Sequence, residues 1–228
     1  MSRPLQQITS HITKRFPEFG TAAVLDVGGN IGQSVRRFRA LFPQAQIHSF
    51  EPAPETFAKL TENVGMLPNV YLNNCALGIR PDKVPFTQGL KTGNHALSDS
   101  EATPDSVQVQ VQTGDAYCAT NDITTIDLLK VDTEGYDLDV LAGFTRQLSD
   151  QNVTALMVEC TTNLDNRFHV HLERFIHFLH PYNYRLAGLI EGTYKIFSTR
   201  QDMNGMWFAN AVFVREVAAP RLRQDGRN

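Results

Sequence analysis

The sequence has few cysteines, no long apolar run and no excess of basic residues. Its three cysteines, Cys75, Cys118 and Cys160, are an odd number at wide spacing. This count excludes a disulfide framework, and we expect buried free thiols in a reducing compartment. No apolar stretch approaches the roughly 20 residues that span a bilayer, and residues 1–16 lack the apolar segment of a signal peptide. These absences predict a cytoplasmic protein.

Basic charge is scarce as well. The 21 Lys and Arg residues against 24 Asp and Glu residues give a formal net charge of −3. Nucleic-acid-binding domains usually present a basic face, and anionic membranes attract polybasic patches. The one basic group, Arg221, Arg223 and Arg227, is interrupted by Asp225. We therefore expect no nucleic-acid partner and no membrane partner, and the sequence carries no signal for an oligomeric state.

What the sequence does contain is an ordinary globular composition, with 42% hydrophobic and 20% charged residues. Such a composition excludes a disordered or low-complexity chain. Because a domain typically has about 150 residues, the 228 residues predict a single domain over 1–228. Apolar residues at helical spacing predict a helix within 1–18, and we expect a flexible tail at 218–228.

Strand and helix patterns alternate along the first 75 residues. Buried strands are predicted at 22–26, 46–50 and 70–73, with helices at 31–42 and 54–63 between them. This order favours a parallel sheet with crossover helices.

The rest of the chain adds strands, two helices and an irregular polar segment. Residues 78–106 are expected to form an irregular functional loop. Helices are predicted at 137–148 and 168–180. Further strands are predicted at 107–112, 126–131, 153–158, 184–190, 194–198 and 207–214. The last three strands follow one another without room for helices, so we expect at least one antiparallel pair.

A glycine-rich turn, Leu25-Asp-Val-Gly-Gly-Asn-Ile-Gly-Gln33, joins the first predicted strand to the first crossover helix. Glycines allow a tight turn and close approach to a ligand, and the helix start offers free N–H donors. The dinucleotide spacing Gly-x-Gly-x-x-Gly fails here, which argues against a nicotinamide-dependent oxidoreductase. The observed spacing instead suits a looser loop around an amino-acid-bearing nucleoside, unless the turn serves only to cap the helix. Its members are Asp26, Gly28, Asn30 and Gly32.

Acidic residues follow two other predicted strands. Glu51 comes 19 residues after Gly32, where an acid hydrogen-bonds the ribose hydroxyls in this type of fold. Asp132 and Glu134 follow the strand 126–131 and would face the same crevice. Because carboxylates that share one crevice repel one another, we expect a cationic ligand there, such as a sulfonium or a metal ion.

Four motifs together resemble the FkbM-type methyltransferases, which have the class I methyltransferase fold and use S-adenosylmethionine. The motifs are Asp-Val-Gly-Gly-Asn-Ile-Gly at 26–32, Phe-Glu-Pro at 50–52, Ala-Leu-Gly at 76–78 and Leu-Lys-Val-Asp-Thr-Glu-Gly at 129–135. The resemblance runs from about residue 22 to residue 160. It implies an α/β fold with a doubly wound, mostly parallel, Rossmann-like sheet of seven strands and a reversed C-terminal strand pair.

The resemblance also implies how the cofactor binds. The methionine end would lie over 26–32, the ribose on Glu51 and the adenine near 74–77. The implied cofactor-binding residues are Asp26, Gly28, Gly29, Asn30, Gly32, Glu51, Pro52, Asn74, Ala76 and Leu77. The implied acceptor is a hydroxyl of a small molecule, a sugar or another natural product.

Methylation of a hydroxyl requires help with its proton, because the pKa of a hydroxyl is far above neutral. Asp132 is the first candidate for the base, since it ends a strand at the crevice. Glu134 and Glu159 are further candidates, and His95 lies on the segment expected to cover the site. An acid that only orients backbone or cofactor groups is the alternative for Asp132.

A metal ion is the other way to activate a hydroxyl. Asp132 with Glu134 or Glu159 would offer oxygen ligands to Mg²⁺. No spacing of His and Cys indicates zinc, and His169 and His171 are two residues apart and cannot share a helix face. The remaining alternatives are a cofactor-binding module without turnover and a metal-assisted O-methyltransferase of a polyketide or peptide.

Overall fold

A computed structural model of the chain describes residues 3–88, 95–97, 106–195 and 205–216. The helices are α1 (Arg3–Arg15), α2 (Gln33–Leu41), α3 (Pro54–Val64), α4 (Gly114–Thr120), α5 (Asp137–Ala142), α6 (Thr145–Ser149) and α7 (Leu172–Leu179), followed by a 3-10 turn (His180–Tyr182). The strands are β1 (Ala23–Val27), β2 (Gln46–Phe50), β3 (Val70–Asn73), β4 (Ala76–Leu77), β5 (Asp82–Gln88), β6 (His95–Leu97), β7 (Ser106–Gln112), β8 (Ile126–Val131), β9 (Val153–Cys160), β10 (Tyr184–Lys195) and β11 (Gly205–Arg215). The predicted tail at 218–228 lies outside the described residues.

Seven strands form the main sheet in the order β10-β11-β9-β8-β1-β2-β3. Strand β1 pairs in parallel with β2 and β8, and the pairs β2–β3 and β8–β9 are also parallel. Strand β11 runs antiparallel to both of its neighbours, β9 and β10. The predicted α/β fold with a mostly parallel seven-stranded sheet is confirmed, and β11 accounts for the reversed pairing at the C-terminal end.

The centre of the sheet is apolar on both faces. Every residue of β1 and β8 is buried, as expected for parallel strands covered by helices on each side. Helix α2 buries Val35 and Phe38 against one face of the sheet. Three charged residues interrupt this apolar pattern: Asp127 in β8, which accepts the backbone N–H of Ala22, and the pair formed by Asp26 in β1 and Lys130 in β8. Because a buried charge is costly alone, these two residues need each other or a ligand.

A second, smaller sheet has the strand order β4-β7-β5-β6. Strands β5 and β6 lie within 78–106, so the prediction of an irregular segment there was wrong for the part that the structure describes. Phe86 of β5 and Val109 of β7 are buried together with Ala53. These few apolar contacts hold the strands, whereas the exposed polar residues around them concealed the pattern.

The predicted helix at 137–148 is two short helices, α5 and α6. The chain turns between them at Gly143, where a Cβ atom would lie only 2.2 Å from the carbonyl oxygen of Gly78. The helix predicted at 168–180 begins later, at Leu172, and Phe168 lies before it with 51% of its surface exposed. In the first case the helical spacing of apolar residues continued across a break between two helices, and in the second it began before the helix.

Strand β10 was predicted as two strands, at 184–190 and 194–198. It is one strand that continues through Lys195, and residues 196–198 lie outside the described residues. Its pairing with β11 shifts register between Ile190 and Thr193, and this irregularity interrupts the apolar alternation. Helix α4 was not predicted.

The three cysteines are free and buried, as expected. Within the described ranges, no helix combines the length and the apolar character needed to cross a bilayer.

Candidate active site

A cavity of about 130 Å³ lies beside the carboxyl ends of β1, β2 and β8. The strand order reverses between β1 and β8, which is where open α/β sheets bind ligands. The lining residues are Val27, Gly28, Asn30, Phe50, Glu51, Pro52, Cys75, Ala76, Leu77, Phe86, Asp132, Thr133, Glu134 and Tyr136.

Glu51 is the best-anchored acid in this cavity. It is 5% exposed, and its two carboxylate oxygens accept the backbone N–H groups of Asn30 and Ala53, both at 3.0 Å. Burial raises the pKa of Glu51, although these two hydrogen bonds act in the opposite direction. Each oxygen keeps an unused lone pair, so the carboxylate can accept hydrogen bonds from a diol.

The glycine-rich loop is pressed against its neighbours on both sides. Gly28 has φ +87°, and a Cβ atom there would lie 1.9 Å from the carbonyl oxygen of Asp132. At Gly29 a Cβ atom would lie 2.1 Å from the Ser49 Oγ. Gly28 and Asn30 line the cavity, whereas Gly29 and Gly32 are not among its lining residues.

Asp26 lies beneath this loop and outside the cavity lining. It has no exposed surface, and its Oδ2 accepts hydrogen bonds from Ser34 Oγ at 2.6 Å and Ser49 Oγ at 3.1 Å. Its Oδ1 is 3.3 Å from Lys130 Nζ. The structure therefore gives Asp26 protein partners. Its predicted cofactor contact remains a prediction.

Residues 74–77 contribute unevenly to the cavity. Ala76 and Leu77 line it, as does Cys75, which the sequence did not single out. The Asn74 side chain instead donates to the carbonyl oxygens of Glu51 and Pro52, at 2.9 and 3.1 Å. Phe86 and Tyr136 are further lining residues that sequence reasoning missed.

Asp132 and Glu134 form an acidic wall on the other side of the cavity. Burial alone would raise the pKa of Asp132, but Lys130 Nζ at 3.1 Å holds that pKa below its usual value. The pKa of Lys130 is raised in turn by Asp132 and Asp26, against the effect of its own burial. Lys130 lies inside one of the recognised motifs, yet sequence reasoning assigned it no role.

Glu134 differs from Asp132 in its environment. Burial, then the charges of Asp132 and Glu159, raise the pKa of Glu134 to about 7. Its backbone lies in the left-handed region, at φ 52°. Asp137, which is buried, also has its pKa raised, to about 6, first by burial and then by Asp132. Around the acidic wall, the described carboxyl groups therefore outnumber the described basic side chains.

Glu134 shares a further cluster with Glu159 and His169. One potential ligand atom from each of the three residues lies within 4.8 Å of the other two. Nε2 of His169 is 3.0 Å from Oε2 of Glu159. Burial alone would lower the pKa of His169, but Glu159 raises it above the usual value.

This cluster corrects the sequence analysis, which set His169 aside because it cannot share a helix face with His171. The residue lies before α7, and tertiary contacts place it. No local signal in the sequence would have found it. His95 is in β6 opposite Gln88, and its side chain is not among those described.

Comparisons with solved structures agree with the fold. TrmK of M. capricolum, solved in complex with S-adenosyl-homocysteine, superposes with a TM-score of 0.50 at 10% identity, over 98% of this chain and 73% of that chain. The fibrillarin pre-rRNA processing protein of Methanococcus jannaschii gives a TM-score of 0.50 at 11% identity, over 88% and 69% of the two chains. At such low identity these similarities show the fold alone.

Curated relatives share more of the sequence. The 2-O-methyltransferase NoeI of Sinorhizobium fredii is 30% identical over 154 residues, which is 60% of this chain and 61% of that protein. The hexuronic acid methyltransferase AglP of Haloferax volcanii is 30% identical over 143 residues, which is 61% of this chain and 56% of that protein. The chain thus spans about three fifths of the length of these relatives.

A family model extends the agreement over most of the chain. The model of the methyltransferase FkbM domain matches residues 26–186. This range contains the four motifs and the whole of the described cavity lining. The resemblance proposed from the motifs is thereby confirmed, and the chain belongs to the FkbM methyltransferase family.

Proposed function

We propose that this chain is an S-adenosylmethionine-dependent O-methyltransferase that acts on a hydroxyl of a small molecule, a sugar or another natural product. One observation carries the proposal. A single cavity at the switch point of the sheet brings Glu51, with free lone pairs, opposite the acidic wall of Asp132 and Glu134. Glu51 can accept hydrogen bonds from the ribose hydroxyls, and the carboxylates of Asp132 and Glu134 suit a cationic sulfonium.

The residues around the cavity fit this cofactor. Glu51 is fixed by two backbone N–H groups and would accept the ribose hydroxyls. Gly28 brings main chain to the cavity without a side chain. Leu77 and Phe86, both nearly fully buried, offer apolar surface to the adenine. Asp26 would act from below, by holding the loop through Ser34.

S-adenosylmethionine, when bound, supplies an electrophilic methyl group on a good leaving group. The protein then has to hold the acceptor oxygen in line, exclude water and accept the hydroxyl proton. We place proton acceptance on the acidic wall, where Asp132 and Glu134 remain the candidates. Lys130 keeps Asp132 ionised, so this carboxylate is available as a weak base.

The relatives support a sugar as the acceptor class. NoeI is named a 2-O-methyltransferase, and AglP is named for hexuronic acid. A pyranose hydroxyl beside the acidic wall would meet carboxylates that can accept its hydrogen bond. The same wall supports a divalent cation such as Mg²⁺, because its carboxyl groups outnumber the neighbouring bases.

Calorimetric titration with S-adenosylhomocysteine tests the cofactor part. We expect one site per chain, and we expect Glu51→Gln to weaken binding about 10- to 100-fold, since it removes charged hydrogen bonds to the ribose. Glu55→Gln, an exposed acid four residues away, is the matched control and should bind like the wild type. Equal affinity in both variants would overturn the site.

Methyl transfer from labelled cofactor to a panel of sugars and uronic acids tests the reaction. Asp132→Asn and Glu134→Gln should lose turnover while they retain S-adenosylhomocysteine. Binding of the cofactor without transfer to any acceptor would favour the module without turnover.

A further inference from the structure

We propose that Glu134, Glu159 and His169 form a binding site for a divalent transition-metal ion, with Mn²⁺, Fe²⁺, Co²⁺ and Zn²⁺ as the fitting class. The three residues come from separate parts of the chain: the turn after β8, strand β9 and the segment before α7. Their potential ligand atoms nevertheless lie within 4.8 Å of one another. The site stands on this geometry. Only its role beside the acceptor rests on the proposed function.

The distances within the cluster are close to those of a filled site. Two ligands at right angles, each about 2.1 Å from one ion, are separated by about 3.0 Å. Nε2 of His169 and Oε2 of Glu159 are 3.0 Å apart. The ligand atom of Glu134 lies within 4.8 Å of the other two. Two ligands on opposite sides of an ion are separated by about 4.2 Å, so this spacing is near that of a filled site.

His169 is held as metal-binding histidines usually are. Its Nδ1 lies 3.1 Å from Oδ1 and 2.9 Å from Nδ2 of the Asn166 side chain, so the amide occupies this nitrogen in either tautomer. Only Nε2 then faces the two glutamates. A partner of this kind on the second ring nitrogen orients the imidazole and makes it a better ligand.

Asn166 is itself fixed. The residue is 2% exposed, and its Nδ2 donates to the carbonyl oxygen of Trp207 at 2.7 Å. Its Oδ1 accepts the backbone N–H groups of Phe168 at 2.9 Å and His169 at 3.2 Å. The imidazole also stacks on Phe208, with ring centroids 5.4 Å apart. These contacts therefore fix the position of Nε2 in the absence of a bound ion.

The charge of the surroundings favours a cation. Asp132 and Asp137 lie within electrostatic range of Glu159 and Glu134, and the Lys130 amine is taken by Asp26 and Asp132. Asp137 is 2% exposed, and its Oδ1 has no hydrogen-bond partner among the described residues. An imidazole ligand with two carboxylates selects a transition metal over Mg²⁺, which prefers oxygen ligands and retained water.

Glu134 also lines the cavity, which joins the ion to the proposed acceptor site. An ion on these ligands would contact the acceptor hydroxyl and lower the pKa of that hydroxyl. Coordination of Glu134 leaves Asp132 as the carboxylate of the acidic wall that accepts the proton.

Metal binding is tested on the whole chain after treatment with EDTA and removal of the chelator. Free Mn²⁺ is measured by electron paramagnetic resonance during titration, and calorimetry gives the affinity. We expect one Mn²⁺ per chain, with about tenfold or greater weakening in Glu134→Gln and in His169→Phe. Glu173→Gln, an exposed acid on α7, is the matched control and should leave the affinity unchanged. Equal concentrations of Mg²⁺ should not displace Mn²⁺.

Several results would overturn the site: no saturable binding, affinity unchanged in His169→Phe, or displacement by equimolar Mg²⁺. His169→Phe preserves the stacked ring but loses two hydrogen-bonding nitrogens, so its melting temperature is measured alongside. If it is unfolded, Glu134→Gln decides alone, because the Glu134 side chain makes no hydrogen bond to the described residues. Titration of Glu51→Gln separates the two proposals. It should lose S-adenosylhomocysteine and keep Mn²⁺. A wild-type chain that binds S-adenosylhomocysteine but no Mn²⁺ would sink the metal site alone.

Discussion

Asp26 and Lys130 lie directly opposite each other on β1 and β8, and Lys130 Nζ is 3.3 Å from Asp26 Oδ1. Both side chains are buried at the centre of the sheet. The same amine reaches Asp132 at 3.1 Å, at the edge of the cavity. This charged chain links the foot of the glycine-rich loop to the acidic wall, so the loop and the wall share one basic group.

Removing that basic group should destabilise the fold. We expect Lys130→Met to lower the free energy of unfolding by about 3–5 kcal/mol, because it leaves a buried carboxylate without its partner. Urea unfolding followed by circular dichroism measures the change. The control is Arg146→Met, which breaks an exposed pair with Asp150 and should cost less than about 1 kcal/mol. A loss no larger than that of the control would contradict the interpretation.

The left-handed backbone at Gly28 should not tolerate a side chain. We expect Gly28→Ala to weaken S-adenosylhomocysteine binding about tenfold or more, since the strained backbone costs about 1–2 kcal/mol and the Cβ atom meets the Asp132 carbonyl. Calorimetry compares it with Gly188→Ala, whose Cβ atom would make an ordinary 3.4 Å contact with Ile8. Equal affinities of the two variants for S-adenosylhomocysteine would show that the loop accommodates a side chain at residue 28, which would contradict the prediction.

Phe86 should matter to both the small sheet and the cofactor. Phe86→Ala and Val109→Ala each remove a buried side chain from the same cluster, and each should lower the melting temperature. Only Phe86 lines the cavity, so only Phe86→Ala should also lower the affinity for S-adenosylhomocysteine. If both variants lost affinity for S-adenosylhomocysteine to the same extent, the loss would be due to the lower stability of the small sheet and not to a contact of Phe86 with the cofactor.

His48 should make stability depend on pH between about 4 and 6.5. Burial lowers the pKa of His48 to about 4, so the unfolded chain binds this proton at a higher pH than the folded one. Stability from this residue is complete above pH 6.5 and falls as the pH drops towards 4, by about 2 kcal/mol after allowance for solvent screening.

Urea unfolding at several pH values checks this effect of His48. The side chain contacts Tyr117 Oη at 2.8 Å and stacks on Tyr71. His48→Gln should flatten the slope of stability against pH. An unchanged slope would assign the pH dependence to other groups.

Much of the site follows from topology, and topology is visible in the sequence. Residues that end parallel strands meet at one edge of the sheet, so the sequence predicts Glu51, Asp132 and Glu134 at one crevice, and all three line the cavity. Strands β1, β2 and β8 fix that placement, because each strand is buried over almost all of its length.

Other site residues depend on contacts that no local pattern encodes. Lys130 lies in a strand whose residues are all buried, and only the neighbouring acids explain why a charged side chain is present there. His169 is positioned by Asn166, whose amide is held by the distant backbone of Trp207. Phe86 belongs to a strand stabilised by three buried residues, too few to produce a period along 78–106.

The small sheet gives the cavity a wall that is structurally separate from the sheet that holds the loop and the acids. Substitutions and length changes in that wall can therefore accumulate without disturbing the β1–β8 pairing on which the cofactor site depends. The fit of a ligand at the Phe86 side of the cavity can thus change while the pairing that places Gly28 and Asp132 stays intact.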